Sequence, residues 1–154
     1  MLVFRIERQK YLSEILQGRG AAISSGNRWN SRNTSMIYTS GSRSLAILEV
    51  LSHVDLFNDL PPDRLLVELD IADDLKIQQL NIEQLPKNWN TFPALNSTRI
   101  LGDEFIRLAE FNVLQVPSSL VEGEFNYLIN PKLIDHSKIK IIKAETLKLE
   151  RWRR

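Results

Sequence analysis

The sequence of 154 residues contains no cysteine and only two histidines, so side chains common in metal and nucleophile sites are scarce. The lack of cysteine excludes a disulfide scaffold, a thiolate metal site and a cysteine nucleophile. His53 and His136 lie far apart and match no metal-binding spacing. We therefore expect no metal cofactor, and the composition fits a reducing cytoplasm.

Long apolar runs and an excess of one charge are also missing. No hydrophobic stretch approaches the roughly 20 residues that span a bilayer, and the first residues lack the pattern of a signal peptide. The 20 lysines and arginines balance 19 acidic residues, which argues against a broad membrane or nucleic-acid surface. We expect a cytoplasmic protein that binds neither, and we interpret the basic cluster at 151–154 as a frayed tail.

The composition is typical of one globular domain, which we expect to cover residues 1–154. Apolar patterns along the chain predict strands and helices. The predicted strands are 2–7, 36–39, 65–71, 113–116, 125–129 and 139–144, and the predicted helices are 10–16, 45–54 and 96–110. This mixture predicts an α+β domain with either a curved central sheet or two small sheets.

Several details of these elements are also predicted. Gly18 and Gly20 stop the first helix, and Asn96 or Ser97 caps the third helix. The third helix turns Leu101, Phe105 and Leu108 inward, and the last strand carries Ile139 and Ile141 on one face.

Two segments stand out from the rest of the chain. Residues 24–35 are polar and rich in turn formers, which predicts a long loop around a single large aromatic residue, Trp29. The predicted helix 45–54 is apolar over most of its circumference, which is typical of a buried helix. Within it lies Glu49, and a buried carboxylate is costly unless it is paired. Glu49 is therefore either paired with an arginine or a catalytic group that faces a cleft.

Common catalytic motifs are missing. Gly18-Arg19-Gly20 lacks the spacing of a phosphate-binding loop, and no G-x-S-x-G motif supports a serine triad. Arg28 is either solvated or holds a phosphate in the polar loop. For Tyr38, core packing is the usual explanation, and Ser118 with Ser119 can simply cap the next element.

Eight short segments, in chain order, carry a resemblance to a known family. They are Val3-Phe4-Arg5-Ile6; Gly18-Arg19-Gly20-Ala21 with Asn27-Arg28-Trp29-Asn30-Ser31; Ile37-Tyr38-Thr39-Ser40 with Leu45-Ala46 and Leu48-Glu49-Val50-Leu51; Val116-Pro117-Ser118; and Asn126-Tyr127-Leu128-Ile129-Asn130-Pro131. Together they resemble the RES family, named for its Arg, Glu and Ser, over about residues 3 to 145. Asn27, Arg32-Asn33 and Phe105 depart from it, because the family usually has Gly, Pro-Gly and Trp there.

The resemblance implies an ADP-ribosyltransferase-like fold and NAD⁺ as the substrate. It also implies a toxin whose partner is an Xre-type helix-turn-helix antitoxin that covers the active site. By position, Glu49, Arg28 and Ser118 are the implied catalytic residues. The resemblance implies that Arg28, Ser118, Tyr38, Asn126 and Arg5 bind the substrate. For Asn126 and Arg5, a structural role is equally well supported.

The chemistry that this resemblance implies is cleavage of the nicotinamide–ribose bond. Glu49 would stabilise positive charge on the ribose, Arg28 would hold the pyrophosphate, and Tyr38 would stack on the substrate. The acceptor is left open among water, phosphate and a protein, and the last would make the chain a protein ADP-ribosyltransferase. A non-catalytic interaction module of the same fold is the second alternative. A nuclease is opposed by the balanced charge, and a homodimer is among the oligomeric states left open.

Overall fold

The computed structural model describes residues 1–53 and 62–148, whose strands form one seven-stranded sheet. The strands are β1 (Leu2–Arg8), β2 (Ile37–Ser40), β3 (Arg64–Ile71), β4 (Ile77–Gln79), β5 (Val113–Pro117), β6 (Phe125–Ile129) and β7 (Ile139–Thr146). The α-helices are α1 (Arg19–Ile23), α2 (Arg43–Leu51) and α3 (Asn96–Leu108), and 3₁₀ helices span Gln9–Gln17, Ile82–Gln84 and Pro131–Leu133. The predicted α+β class is confirmed, and the described strands form one central sheet and not two small ones.

The sheet order is β4-β5-β6-β2-β1-β3-β7, and only β4 and β5 run parallel among its paired strands. The order places β2 between β6 and β1, near the middle of the sheet. Strands from both halves of the chain therefore meet at β2, because β1 and β2 come early in the sequence and β6 comes late.

The alternation of β1 separates the two faces of the sheet, as the period of two in the sequence predicts. On one face, Val3 joins a cluster that contains Ile15 of the first 3₁₀ helix and Leu69 of β3. On the other face, Phe4 and Ile6 pack with Ala46 of α2, whereas a separate cluster contains Trp29, Trp89 and Phe105. The second face is thus covered in two parts, by α2 at one side and by the polar loop with α3 at the other.

The first helical segment ends as predicted at one glycine but not at the other. The 3₁₀ helix stops at Gly18, whose φ of 64° lies in the left-handed region. A Cβ at Gly18 would also lie 2.8 Å from the backbone nitrogen of Met36. The prediction that Gly20 ends a helix is wrong, because α1 begins at Arg19 and runs through Gly20.

The prediction of a helix buried all round is wrong for α2. Only Leu45 and Ala46 are buried, Leu48 is 39% exposed and Glu49 is half-buried. Ala46 packs with Phe4 and Leu66 of the sheet, and Glu49 follows one turn later on a neighbouring side of the helix, where it is half-buried. Val54, where the prediction ended this helix, lies outside the described residues, as does the predicted tail at 151–154.

The deeply buried carboxylate belongs to Glu68 on β3, whose exposed fraction is 6%. Arg43 in the first turn of α2 pairs with Glu68 and also lies 3.3 Å from Glu145 on β7. A buried carboxylate needs such a partner because desolvation of the charge is costly. This ion pair fastens the start of α2 to the sheet.

Helix α3 is rotated relative to its prediction. Asn96 and Ser97 lie inside the helix, Leu95 is the N-cap residue, and no side chain caps the first turn. Thr98, Gly102, Phe105 and Ile106 are the buried residues, whereas Leu108 is 46% exposed. The buried side of α3 includes Gly102, because this residue has no side chain and its backbone contacts the backbone of Trp29.

The last strand carries Ile139 and Ile141 on one face, as predicted, because they pair with Ile71 and Leu69 of β3. Ile139 is buried, whereas Ile141 is 41% exposed on β7, which lies at the edge of the sheet. Within residues 1–53 and 62–148, none of the helices has the length and apolar character of a membrane span.

Candidate active site

A cleft of about 910 Å³ opens on the second face of the sheet, where the cover by α2 and by the polar loop leaves the strands accessible. This volume is in the usual range for small-molecule sites, roughly 300–1,000 Å³. Its walls include residues from the sheet, α2, the polar loop and two connecting segments: Arg5, Tyr38, Ser40 and Asn126; Glu49 and Val50; Asn27, Arg28 and Trp29; Asn90, Phe92, Ser119 and Leu120. Five of the six candidate residues from the sequence therefore line one cleft.

Glu49 is held by a side chain from the sheet. Its Oε1 accepts a hydrogen bond of 2.9 Å from Nδ2 of Asn126, and Oδ1 of Asn126 accepts one of 2.9 Å from the Ser40 hydroxyl. Within the described part of the chain, Oε2 of Glu49 accepts no hydrogen bond. One carboxylate oxygen is thus fixed, and the other is available in the cleft.

The start of α2 has its own attachment to the strand that carries Asn126. The Ser42 hydroxyl accepts a hydrogen bond of 3.1 Å from the Leu45 N–H and donates one of 2.8 Å to Glu124. Ser42 therefore caps the helix and ties it to the segment before β6. The Ser42–Glu124 and Asn126–Glu49 hydrogen bonds together hold α2 against the β6 region at two positions along the helix.

The polar loop is organised around the buried amide of Asn30. Its Nδ2 donates to the carbonyls of Ala21, Ser31 and Thr34 at 2.9 to 3.0 Å. Helix α3 holds the same loop, since Asp103 accepts a hydrogen bond from the Ser31 N–H and Nε of Arg99 donates to the Asn27 carbonyl. Local side chains thus satisfy the backbone of a loop that has no regular secondary structure.

Arg28 joins this loop to the opposite wall of the cleft. Its Nη1 donates to the carbonyls of Trp89 at 2.6 Å and Thr91 at 3.0 Å. Burial lowers the pKa of the Arg28 guanidinium, and the negative charge of Glu49 opposes this shift. Among residues 1–53 and 62–148 no other hydrogen bond engages Arg28, so Nε and Nη2 can meet an anionic ligand.

Tyr38 supports the loop from the sheet. Its hydroxyl donates a hydrogen bond of 2.6 Å to Oδ1 of Asn30 and accepts one of 3.2 Å from the Trp29 N–H. Burial raises the pKa of the Tyr38 hydroxyl well above its ordinary value, because the phenolate would be desolvated. The neutral phenol therefore holds the backbone of the residue next to Arg28.

The raised pKa of Tyr38 makes the stability of the fold sensitive to high pH. A group whose pKa is higher in the folded chain stabilises it below the pKa of the unfolded chain, 10.0 for tyrosine, and loses that contribution as pH rises further. We expect the free energy of unfolding to fall above about pH 10, by at most about 1.4 kcal/mol per pH unit for one group. Urea unfolding at several pH values measures the slope.

Tyr38→Phe is the matched variant for this prediction, because phenylalanine cannot ionise. It should be less stable at neutral pH, since two hydrogen bonds are lost. Its stability should depend less on pH in the alkaline range. A smaller slope remains expected, because burial also raises the pKa of Tyr127. Equal slopes in both proteins would contradict the prediction.

The remaining two candidates make contacts within the protein. Arg5 forms an ion pair with Glu7 at 2.9 Å, and its Nη1 donates to the Tyr38 carbonyl at 2.9 Å, which ties β1 to β2. The Ser118 hydroxyl accepts hydrogen bonds of 3.1 Å from the N–H groups of Leu120 and Val121. Ser118 thus shapes the turn whose next residues line the cleft, and it does not itself line it.

In the part of the chain that the structure describes, no three or more His, Asp or Glu side chains are grouped so that they could hold a metal ion. The acidic and basic residues that line the cleft are Glu49, Arg5, Arg28, Arg64 and His53.

A protein-family model, that of the RES domain, matches residues 2–150. The chain belongs to the RES domain family. Among RES relatives, a protein named "Toxin Res" from Photorhabdus laumondii is 35% identical over 144 residues, which cover 93% of this chain and 90% of the relative. The "Prs ADP-ribosylating toxin" of a Sphingobium species is 33% identical over 148 residues, which cover 95% of this chain and 88% of that protein.

The RES fold is also found in a solved structure. A chain of the M. tuberculosis MbcT–MbcA toxin–antitoxin complex superposes with a TM-score of 0.76 at 14% identity, covering 99% of this chain and 86% of that chain. At this level of identity the likeness concerns the fold alone. It agrees with the α+β class of the described fold.

The departures from the usual RES pattern fit the loop geometry. Asn33 replaces a glycine and has a φ of 70°, a left-handed conformation that asparagine tolerates better than most residues. Asn27 keeps an ordinary φ, and its Nδ2 donates a hydrogen bond of 3.0 Å to the Ala21 carbonyl. Phe105 fills its core position and is buried in the cluster of Trp29 and Trp89.

Three residues of the site were not singled out from the sequence. Asn30 and Ser40 stand inside the motif segments, so their position was a signal, but nothing in the pattern distinguished them from their neighbours. Arg64 also lines the cleft, and its Nε is buried without a partner among the described residues. It lies in an alternating strand, where a polar residue carries no functional signal.

Proposed function

We propose that this RES domain, taken as residues 1–154, is the toxin of a toxin–antitoxin pair and cleaves the nicotinamide–ribose bond of NAD⁺. The observation that carries the proposal is the position of Glu49: a half-buried carboxylate with one oxygen fixed and one available in a cleft that also holds Arg28. The relatives named as toxins support the same conclusion.

The reaction needs stabilisation of positive charge at one carbon. As the bond breaks, its electron pair moves to the nicotinamide nitrogen, which becomes neutral, and the ribose acquires oxocarbenium character. Oε2 of Glu49 faces this charge, and the hydrogen bond from Asn126 keeps the carboxylate in place. Because nicotinamide leaves as a neutral base, no proton donor is needed.

The other candidates bind and position the substrate. Nε and Nη2 of Arg28 pair with the pyrophosphate, while its Nη1 stays on the wall of the cleft. Tyr38 offers a ring face to the nicotinamide or the ribose. Asn126 and Arg5 act through Glu49 and Tyr38, and Ser118 holds the turn that brings Ser119 into the cleft. No step uses a metal.

The acceptor of the ribosyl group is water in this proposal, or phosphate, which would give hydrolysis or phosphorolysis of NAD⁺. Transfer to a protein is the second candidate function, and the relative named as an ADP-ribosylating toxin favours it. An Xre-type antitoxin that covers the cleft is the proposed partner, as suggested by the toxin–antitoxin complex with the same fold. The site of action is the cytoplasm, where the chain acts as a monomer or a homodimer.

The test is release of nicotinamide from NAD⁺ by the purified protein. Release in phosphate-free buffer identifies water as the acceptor, and a strong rise with added phosphate identifies phosphorolysis. With biotinylated NAD⁺ in lysate, a labelled protein band identifies protein transfer. If nicotinamide is released under none of these conditions, the proposed function is wrong and a non-catalytic interaction module is favoured.

The proposed role of Arg28 predicts a change in substrate affinity. In Arg28→Lys the single ammonium group cannot hold both the wall carbonyls and the pyrophosphate, so KM for NAD⁺ should rise roughly 10- to 100-fold. Arg32→Lys changes an exposed arginine of the same loop and should keep KM. Initial-rate measurements of nicotinamide release compare the three proteins. An unchanged KM in Arg28→Lys would remove Arg28 from the substrate site.

A further inference from the structure

Three side chains form a linear hydrogen-bond chain that ends on the proposed catalytic carboxylate. The Ser40 hydroxyl donates to Oδ1 of Asn126 at 2.9 Å, and Nδ2 of Asn126 donates to Oε1 of Glu49 at 2.9 Å. Ser40 and Asn126 are directly opposite each other in the β2–β6 pair. Two members of this hydrogen-bond chain therefore lie in the sheet, and only the third, Glu49, lies on a helix.

The direction of each hydrogen bond follows from the chemistry of the groups. An ionised carboxylate only accepts, so Asn126 must present its NH₂ group to Glu49. Its carbonyl oxygen then points to Ser40, whose hydroxyl is the donor it meets. With the amide turned over, two acceptors would face each other at 2.9 Å, Oδ1 of Asn126 and Oε1 of Glu49.

We propose that Ser40 is a positioning residue, whose hydroxyl keeps the Asn126 amide in the orientation that holds Glu49. The inference rests on the proposed function in one respect, that Glu49 is the carboxylate that acts on the substrate. Ser40 is buried, so loss of its hydroxyl leaves Oδ1 without its donor and frees the amide to rotate. The carboxylate then samples orientations in which Oε2 no longer faces the reacting carbon.

The hydroxyl of the neighbouring residue, Thr39, provides a control that distinguishes a positioning role from a structural one. Thr39 precedes Ser40 on β2, and its buried hydroxyl donates at 2.6 Å to the Tyr127 carbonyl on the same partner strand, β6. Removing either hydroxyl costs one buried hydrogen bond between the same two strands. Only the Ser40 hydroxyl is connected to Glu49.

The kinetic experiment compares Ser40→Ala with Thr39→Val. Ser40→Ala should lower kcat for nicotinamide release about tenfold and leave KM within about twofold, because orientation and not binding is affected. Thr39→Val should keep kcat, although its stability falls. Ser40→Thr keeps a hydroxyl and should restore most of the rate. Equal losses of kcat in Ser40→Ala and Thr39→Val would overturn the proposal.

A double-mutant cycle tests whether Ser40 acts through Asn126. In an Asn126→Ala background, Ser40→Ala should cause no further loss of kcat, because the residue that transmits its effect is already absent. Independent, multiplicative losses would show that Ser40 acts in another way, and they would overturn the proposal.

A measurement without turnover separates this proposal from the proposed function. The side-chain NH₂ resonances of Asn126, identified by their loss in Asn126→Ala, should shift in ¹⁵N-labelled Ser40→Ala and in Glu49→Gln, but not in Thr39→Val. If the wild-type protein releases no nicotinamide, the proposed function fails while these spectra still decide the hydrogen-bond chain. Unchanged Asn126 resonances in Ser40→Ala would overturn the role of Ser40.

Discussion

Replacing Glu49 by glutamine is expected to lower nicotinamide release about 10³-fold, the usual cost of removing one charge-stabilising group from a transition state. The amide oxygen of glutamine still accepts the hydrogen bond from Nδ2 of Asn126, so the helix keeps its contact with the sheet. The change therefore removes the negative charge at almost constant shape. The loss should appear in kcat, because the charge acts on the transition state more than on bound NAD⁺.

Two measurements complete this prediction. Thermal unfolding should give nearly the same Tm for wild type and Glu49→Gln, which shows that the fold is intact. Glu110→Gln is the matched control, since Glu110 is an exposed carboxylate beyond the end of α3, and its rate should equal that of the wild type. A Glu49→Gln protein that consumes NAD⁺ at the native rate would refute the assigned role of Glu49.

Gly102→Ala is expected to destabilise the fold by about 3 kcal/mol or more, the upper part of the range for an overpacked site. A Cβ at Gly102 would lie 1.6 Å from the carbonyl oxygen and 2.7 Å from the carbonyl carbon of Trp29. The atoms of Trp29 that a Cβ would meet belong to its backbone, so no side-chain rotation relieves the clash. Either α3 must move away from the polar loop, or the loop must move away from α3.

A second glycine in a helix provides the control. At Gly20 in α1, no heavy atom lies within 4 Å of the position that a Cβ would take, so Gly20→Ala should be neutral or stabilising by up to about 1 kcal/mol. Urea unfolding of the two variants measures the contrast. In Gly102→Ala, activity should fall even where the chain is folded, since the displaced residue, Trp29, follows Arg28 directly. Equal stabilities of Gly102→Ala and Gly20→Ala would contradict the prediction, because they would show that the polar loop can move away from α3 without cost.

The strands were the most predictable part of the fold. A period of two over residues 2–7 and 65–71 identifies β1 and β3, because alternate side chains of a strand point to opposite faces of the sheet. Burial itself does not alternate in β3, where Leu65 to Leu69 are all buried. The segments between turn-forming residues likewise identify β5 and β6 within one residue. Pairing partners were not predictable, because β2 lies beside β6 and β1, and register depends on contacts far apart in sequence.

Helix α2 shows why composition misleads about burial. Its apolar residues surround the helix, yet only Leu45 and Ala46 are buried, because the helix lies at the rim of the cleft above β1 and β3. Conversely, the buried carboxylate of Glu68 looked like the polar side of an alternating strand, since its partner Arg43 lies 25 residues earlier. Burial of a charge depends on a tertiary partner that a local pattern does not contain.

The sequence motifs predicted which residues belong to the candidate site, but they did not predict the contacts between those residues. The motif segments carry Arg28, Tyr38, Glu49 and Asn126, and the fold brings all four to one cleft. Their contacts could not be read from the motifs, because Arg28 holds carbonyls of residues 61 and 63 positions away. The same holds for Ser118, whose hydroxyl is engaged in its own turn.

The strand order links the site to the direction of protein synthesis. Glu49 and its partner Asn126 are separated by 77 residues, and Ser40 and Asn126 by 86. Half of the 154 residues are therefore synthesised between Glu49 and the residue that orients it. The central strand β2 gains its neighbour β6 only after these residues have been made. The proposed active site is therefore complete only after β6 has been synthesised and has paired with β2.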